Sequence, residues 1–127
     1  MEGFLLKKQF RLRKNKEFQA VYEQKNSVAA SAVVLYIRDN EQGSPARVGF
    51  SVSKRVGNAV VRNRCRRLLR EAVRLHLDEL APGKDYVFIG RQSLAKEDFT
   101  RVEKDVLRAL ARRDCLRRPD ETGRIEG

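Results

Sequence analysis

Histidine occurs once in these 127 residues, at position 76, and tryptophan not at all; cysteine occurs twice, as Cys65 and Cys115. These shortages exclude much. Two cysteines far apart build no disulfide framework, and with one histidine they make no zinc spacing. Both are expected to be reduced, as in a cytosol. The carboxylates fall on predicted helix exteriors and loops, with no His or Cys arranged as a nucleophile–base pair. His76 itself falls near the apolar side of a predicted helix and reads as a packed residue. No G-x-G-x-x-G and no Walker loop is present. No run approaches 18 apolar residues, so no membrane span is predicted. The opening M-E-G-F-L-L-K-K lacks the apolar core and cleavage site of a secretory signal. Acid is scarce as well: 17 Asp and Glu stand against 28 Lys and Arg, for a net charge of +11.

The positive charge is not spread evenly. Residues 1–16 hold six basic side chains and one acid, and residues 47–74 hold nine and one; the stretches 17–46 and 75–105 are mildly acidic. A directed positive surface on a chain of pI near 10.3 makes nucleic acid the leading partner class, with an anionic membrane surface next. A content of 41% hydrophobic residues supports one folded domain of modest core.

Most of the charge lies in residues 54–74. Gly57-Asn58 reads as a turn and an N-cap. Beyond it Val61, Cys65, Leu68, Ala72 and Leu75 recur at helical spacing, with Leu69 beside them. Asn63, Arg66, Arg67, Arg70 and Arg74 fall on the opposite side. A solvated helix face usually alternates signs. Here Glu71 is the one acid among eight basic residues, and like charges four apart repel. The spacing predicts a helix with one side for a core and one for anions.

Around it the chain reads as alternating helix and strand. Asn15 can cap a first helix carrying Phe18, Val21 and Tyr22 on one face, which by pattern alone is core packing. Residues 32–38 are a strand, with Val33, Leu35 and Ile37 on one side and Val34, Tyr36 and Arg38 on the other. Residues 47–54 are a second, with Val48, Phe50 and Val52 inward and Arg47, Gly49, Ser51 and Ser53 outward. Proximity predicts that these two form a hairpin. Their outward face is small and polar, either plainly solvated or left open for a ligand. The arginine helix should end between Leu77 and Leu80. Residues 86–90 follow as a strand buried on both faces, giving a parallel β-α-β crossover. Phe99, Val102, Val106, Ala109 and Leu110 mark a last helix to about Arg113. Residues 114–127 lack pattern and read as a flexible tail, leaving a domain of residues 1–113 with a basic arm, 1–14.

A strongly basic domain without a catalytic constellation reads as a binder. Helix-turn-helix and zinc spacings of duplex DNA readers are missing. Aromatics near a sheet beside a basic track suit single-stranded RNA. A structural ribosomal or general RNA-binding protein fits this description, and a self-sufficient nuclease does not.

Residues 47–71, R-V-G-F-S-V-S-K-R-V-G-N-A-V-V-R-N-R-C-R-R-L-L-R-E, closely resemble the signature of the bacterial ribonuclease P protein subunit. R-L-R-K-N-K-E-F at 11–18 and Y-V-F-I-G-R at 86–91 are similar to that family too, in the right order. The resemblance covers about residues 7–113. Departures are small: Arg55 for a common lysine, Tyr22 for a common phenylalanine, Cys65 for a common aliphatic. The resemblance implies an α+β two-layer sandwich, a mixed sheet of about four strands with three helices in the order α-β-β-β-α-β-α. Its β-α-β crossover would be left-handed (ribosomal-protein-S5-domain-2-like), although physics favours the right hand in roughly 98% of cases. It further implies a cytoplasmic, non-catalytic subunit of a ribonucleoprotein endoribonuclease, whose RNA uses Mg2+ to remove the 5′ leader of precursor tRNA. Arg62, Asn63, Arg64, Arg66, Arg67 and Arg70 would contact that RNA. Phe18, Tyr22, Val34, Tyr36, Ser51, Ser53 and Arg55 would line a cleft for the single-stranded leader. No protein-bound metal or cofactor, no membrane and no obligate protein partner are expected.

Overall fold

The structure, a computed structural model, describes residues 10–40 and 44–116. Three helices, α1 (Asn15–Glu23), α2 (Ala59–Leu75) and α3 (Phe99–Arg112), accompany four strands, β1 (Ser27–Ala30), β2 (Val33–Asp39), β3 (Arg47–Val52) and β4 (Lys84–Gly90). The sheet order is β1-β2-β4-β3. β4 pairs antiparallel with β2 and parallel with β3, so β3, α2 and β4 form the expected parallel crossover.

That order overturns the predicted hairpin between β2 and β3. β4 lies between them, with Val87 paired to Tyr36 on one side and Gly49 on the other. The physical reason is in β4 itself. Asp85, Tyr86, Val87 and Phe88 are all fully buried, so this strand needs cover on both faces and both edges. The connection from β2 to β3 need only span two inter-strand spacings, about 10 Å, well within reach of seven residues.

α2 and α3 pack on one face of the sheet over Leu35, Val48, Val52, Tyr86 and Phe88. α1 crosses part of the other face, where Leu12, Val21 and Val87 form a small second core flanked by Phe18, Tyr22, Tyr36 and Ile89. The buried line of α2 runs through Cys65, Leu69, Ala72 and Val73. The predicted stripe is thus rotated: Leu68 is only half-buried and Leu75 is 46% exposed. Asn58 caps α2 as expected, its Oδ1 accepting from Val61 N–H at 3.0 Å. The helix ends at Leu75, earlier than predicted, and a short turn over Leu77–Glu79 follows.

Asn15 does not cap α1; it is the first helical residue, after Lys14 at the N-cap. Glu17 takes over the capping, its Oε1 accepting from the N–H groups of Arg13 (3.0 Å) and Lys14 (3.1 Å). The core also continues past Arg113. Cys115 is buried, its carbonyl accepts from Ala81 N–H at 2.9 Å, and Leu116 bridges Leu80. The rest of the predicted tail and the first nine residues of the basic arm lie outside the described residues.

His76 joins α2 to its neighbours. Its Nδ1 lies 2.8 Å from Glu79 and its Nε2 2.7 Å from Glu103 of α3. Burial alone would lower its pKa, but the Glu103 and Glu79 carboxylates outweigh it and raise the pKa above the ordinary 6.5. The folded state therefore binds this proton more tightly than the unfolded chain does. Its stabilisation is complete below about pH 6.5 and fades as pH rises through the higher folded value. Denaturation midpoints should fall from about pH 6.5 upward, and His76→Gln should flatten that fall; an equal fall in the variant would remove His76 as the cause.

Candidate nucleic-acid interface

The site is built where α1, the sheet and α2 approach one another. Phe18, Val21 and Tyr22 share the inner face of α1. Val21 is completely buried, while Phe18 and Tyr22 stay half-exposed at its margin. Opposite them on β2 is Tyr36, its ring centroid 5.1 Å from that of Tyr22 in an edge-to-face contact; Phe18 meets Tyr22 edge-on at 6.4 Å. Val34 lies on the same sheet face, beside Ile89. Burial pushes the Tyr22 phenol up, against the opposing pull of the Ser51 hydroxyl. Three rings thus gather over a sheet face that is apolar at Val34, Val87 and Ile89 and turns small and polar only at Gly49 and Ser51.

Gly49 makes room for this arrangement. A Cβ there would sit 2.6 Å from Phe18 Cζ and 3.1 Å from Leu12 Cβ, closer than van der Waals contact permits. The ring therefore rests directly on the β3 backbone. Ser53 and Arg55 lie at the end of that strand and are exposed. Ser53 Oγ accepts from Arg55 N–H at 3.3 Å, and the Arg55 carbonyl accepts from Gln92 at 3.2 Å, which shapes the turn into α2.

Past the exposed edge of β3 the cleft meets a second hollow, of about 310 Å3, lined by Arg11, Leu12, Arg13, Phe18, Val48, Phe50, Arg66 and Arg70. The arm closes it. Arg11 bridges Val48, and Leu12 N–H donates to the Val48 carbonyl at 2.7 Å. Arg70 is the most constrained of its cations: its Nε is buried with no acceptor among the described residues. Burial, and then the charges of Arg11, Arg66 and Arg67, lower its pKa. Several guanidinium groups thus converge where negative charge is lacking, which is the electrostatics of a site for phosphate.

The arginines of α2 are not one uniform face. Arg66 and Arg70 turn into the hollow, with Arg66 also donating to Asn63 Oδ1 at 2.8 Å. Arg64 donates to the carbonyls of Ala95 (3.2 Å) and Glu97 (2.9 Å), stapling α2 to the turn before α3. Arg62 Nε donates to the Gly57 carbonyl at 3.2 Å. Arg74 pairs with Glu71. Arg67 is exposed. Helical spacing placed Arg66, Arg67, Arg70 and Arg74 on one side, and it carries no information about carbonyls on other elements that draw in side chains such as Arg64.

Arg11, Arg13, Gly49, Phe50 and Ile89 complete the surface and were not among the sequence-based candidates. The basic arm, 1–14, has no element assigned to it by local pattern. Its R-L-R alternation at 11–13 was the available sign, since a period of two places Leu12 inward between two cations. A larger groove of about 420 Å3, at the far end of α2, is lined by Phe10, Pro45, Ala46, Arg74, Leu77, Asp78, Leu80 and Pro82. Its one cation is already paired, so it lacks the chemistry of an RNA site. Among the described residues no cluster of His, Cys, Asp and Glu is placed to hold a metal ion, and no helix is long and apolar enough to cross a membrane.

Comparison with known proteins agrees with this fold. A family model described as Ribonuclease P matches residues 6–114. The ribonuclease P protein component of Bacillus cereus strain B4264 is 43% identical over 107 residues, covering 84% of this chain and 93% of that protein. That of Exiguobacterium sibiricum is 46% identical over 108 residues, covering 85% and 92%. Among solved structures, the Staphylococcus aureus RNase P protein superposes with a TM-score of 0.77 at 32% identity, over 84% of this chain and 97% of the other. The RNase P protein from Thermotoga maritima superposes with a TM-score of 0.72 at 29% identity, over 80% and 96%. Superposition at this level requires the same strand order and crossover hand, so the left-handed β3-α2-β4 connection expected of the family holds here. With family model, sequence and fold all in agreement, the chain belongs to the family of bacterial ribonuclease P proteins.

Proposed function

We propose that this chain is the RNA-binding, non-catalytic subunit of a ribonucleoprotein ribonuclease P. It binds the catalytic RNA through the arginines of α2 and holds the single-stranded 5′ leader of precursor tRNA in the cleft between α1 and the sheet. The observation that carries this reading is the position of Phe18 between the ring cluster and the arginine-lined hollow. Phe18 belongs to both the aromatic cleft and the arginine-lined pocket, so bases on the rings and phosphates on Arg66 and Arg70 lie along one track. Stacking on rings tolerates sequence, which suits a protein that meets many leaders.

Hydrolysis is assigned to the RNA and its Mg2+. Magnesium takes oxygen ligands, commonly carboxylates and phosphates. The cleft offers it rings, hydroxyls and cations instead, so the protein residues described do not form its site. The partners are then the catalytic RNA and precursor tRNA, in the cytoplasm.

The test is precursor-tRNA cleavage by a bacterial ribonuclease P RNA at low magnesium, with and without the protein. Stimulation is expected, and it separates this reading from a general RNA-binding or ribosomal protein. Phe18→Ala or Tyr36→Ala should weaken binding of leader-bearing tRNA about tenfold, from stacking energies of roughly 1–3 kcal/mol per base. Binding of leaderless tRNA should be unchanged. Equal effects on both substrates would remove the leader from the cleft.

A further inference from the structure

Three charged side chains connect the buried sheet to the rim of the cleft. Asp85 on β4 is fully buried. Its Oδ1 accepts from Arg47 Nε at 3.0 Å and Asn40 Nδ2 at 2.7 Å; its Oδ2 accepts from Arg47 Nη2 at 2.9 Å. Arg47 Nη1 reaches out to Glu17 Oε2 at 3.4 Å. The other oxygen of Glu17 holds the N–H groups of Arg13 and Lys14. All three nitrogens of Arg47 are therefore engaged inside the protein. Glu17 is the single acid among the basic side chains of residues 11–18, and its neighbour in sequence is Phe18.

We propose that Glu17 and Arg47 are positioning residues for leader recognition. They fix the first turn of α1, and with it Phe18 and the arm cations Arg11 and Arg13, relative to the sheet. The anchor is rigid because Asp85 and Arg47 form a two-bond fork inside the sheet edge, the geometry in which Arg–carboxylate pairs are strongest. The arm then has two attachments, the Leu12–Val48 hydrogen bond and the Glu17 carboxylate, one on each side of Arg13. The inference rests on the cleft reading above and adds to it a device that sets the distance between rings and arginines.

Charge and position predict opposite signs here. An acid on a cationic surface repels RNA, so by electrostatics alone its removal tightens binding. If Glu17 acts through geometry, its removal loosens the leader. Arg47 is the poorer target, since its loss takes the two-bond fork from buried Asp85, leaving it Asn40 at 2.7 Å and Arg38 at 3.5 Å, and can prevent folding. The measurement is the ratio of affinities of the reconstituted protein–RNA enzyme for leader-bearing and leaderless tRNA. Glu17→Ala should lower that ratio about fivefold, within the usual range of coupling between neighbouring side chains. Glu17→Gln, whose amide oxygen can still accept from the arm, should fall between wild type and Glu17→Ala. Combined with Phe18→Ala, Glu17→Ala should add less than its effect alone, because both changes remove the same ring from its place and only the arm cations are left to shift. A ratio that rises, or full additivity in the double variant, overturns the assignment. If Phe18→Ala itself leaves the ratio unchanged, the cleft reading fails; if Phe18→Ala lowers it and Glu17→Ala does not, only the positioning role falls.

Discussion

Replacing Arg66 and Arg70 together by alanine should weaken binding of the catalytic RNA by about 30- to 1000-fold near 0.15 M salt, taking each charge-assisted contact at roughly 1–2 kcal/mol. The slope of log K against log salt should become shallower by about 1.4–1.8, since each phosphate released contributes 0.7–0.9. Stability should move the other way. Arg70 Nε is buried with no acceptor among the described residues, and Arg11, Arg66 and Arg67 surround it with like charge. A methionine there would keep the stem packed against Phe50 and Val48, which share the pocket, and remove the unsatisfied group. Arg70→Met should therefore raise the melting midpoint of the free protein, by about 1 kcal/mol of stability, while weakening RNA binding. Such opposed effects mark a group kept for function at the expense of the fold. A variant that melts lower and retains the wild-type salt slope would show that Arg70 serves packing, not phosphate.

Gly49→Val should impair the other half of the track. Viewed only as a strand residue, valine ought to be an improvement, because glycine weakens strand interiors. The structure predicts the reverse. The new Cβ would meet Phe18 Cζ at 2.6 Å and Leu12 Cβ at 3.1 Å. The ring can swing away, at the cost of its edge contact with Tyr22, but Leu12 Cβ is tied to a backbone that hydrogen-bonds Val48. Overpacking of this kind costs about 1–3 kcal/mol, readable as a shift in a urea or thermal transition. The same displacement moves the leader platform and, through Leu12, Arg11 and Arg13. Loss of discrimination between leader-bearing and leaderless tRNA should accompany the destabilisation. Wild-type discrimination in a Gly49→Val protein would mean that the ring does not need its seat on β3.

Local signals were sufficient for most elements. The stretch after Asn58 announces a helix by period and by its cap, and the unbroken apolar run at 86–90 announces a strand buried on both faces. They were insufficient wherever a partner is distant in sequence. Period two shows that β2 and β3 each have an inner face, but not that β4 comes between them. The Glu17 cap of α1, by contrast, is local: Glu17 stands three residues after the N-cap Lys14, at capping-box spacing.

By itself the sequence determined the class of partner, the arginine helix, the aromatic face of α1 and, through the long motif at 47–71, the family. These follow from composition and from spacing along one element, which are properties of the chain before it folds. Only the tertiary structure decided which arginines are available. Arg64 is drawn to the carbonyls of Ala95 and Glu97, while Arg66 and Arg70 meet Arg11, Arg13 and Phe18 across the edge of β3. A side chain's charge is fixed by its identity, but the acceptor nearest to it is fixed by where three separate elements come to rest.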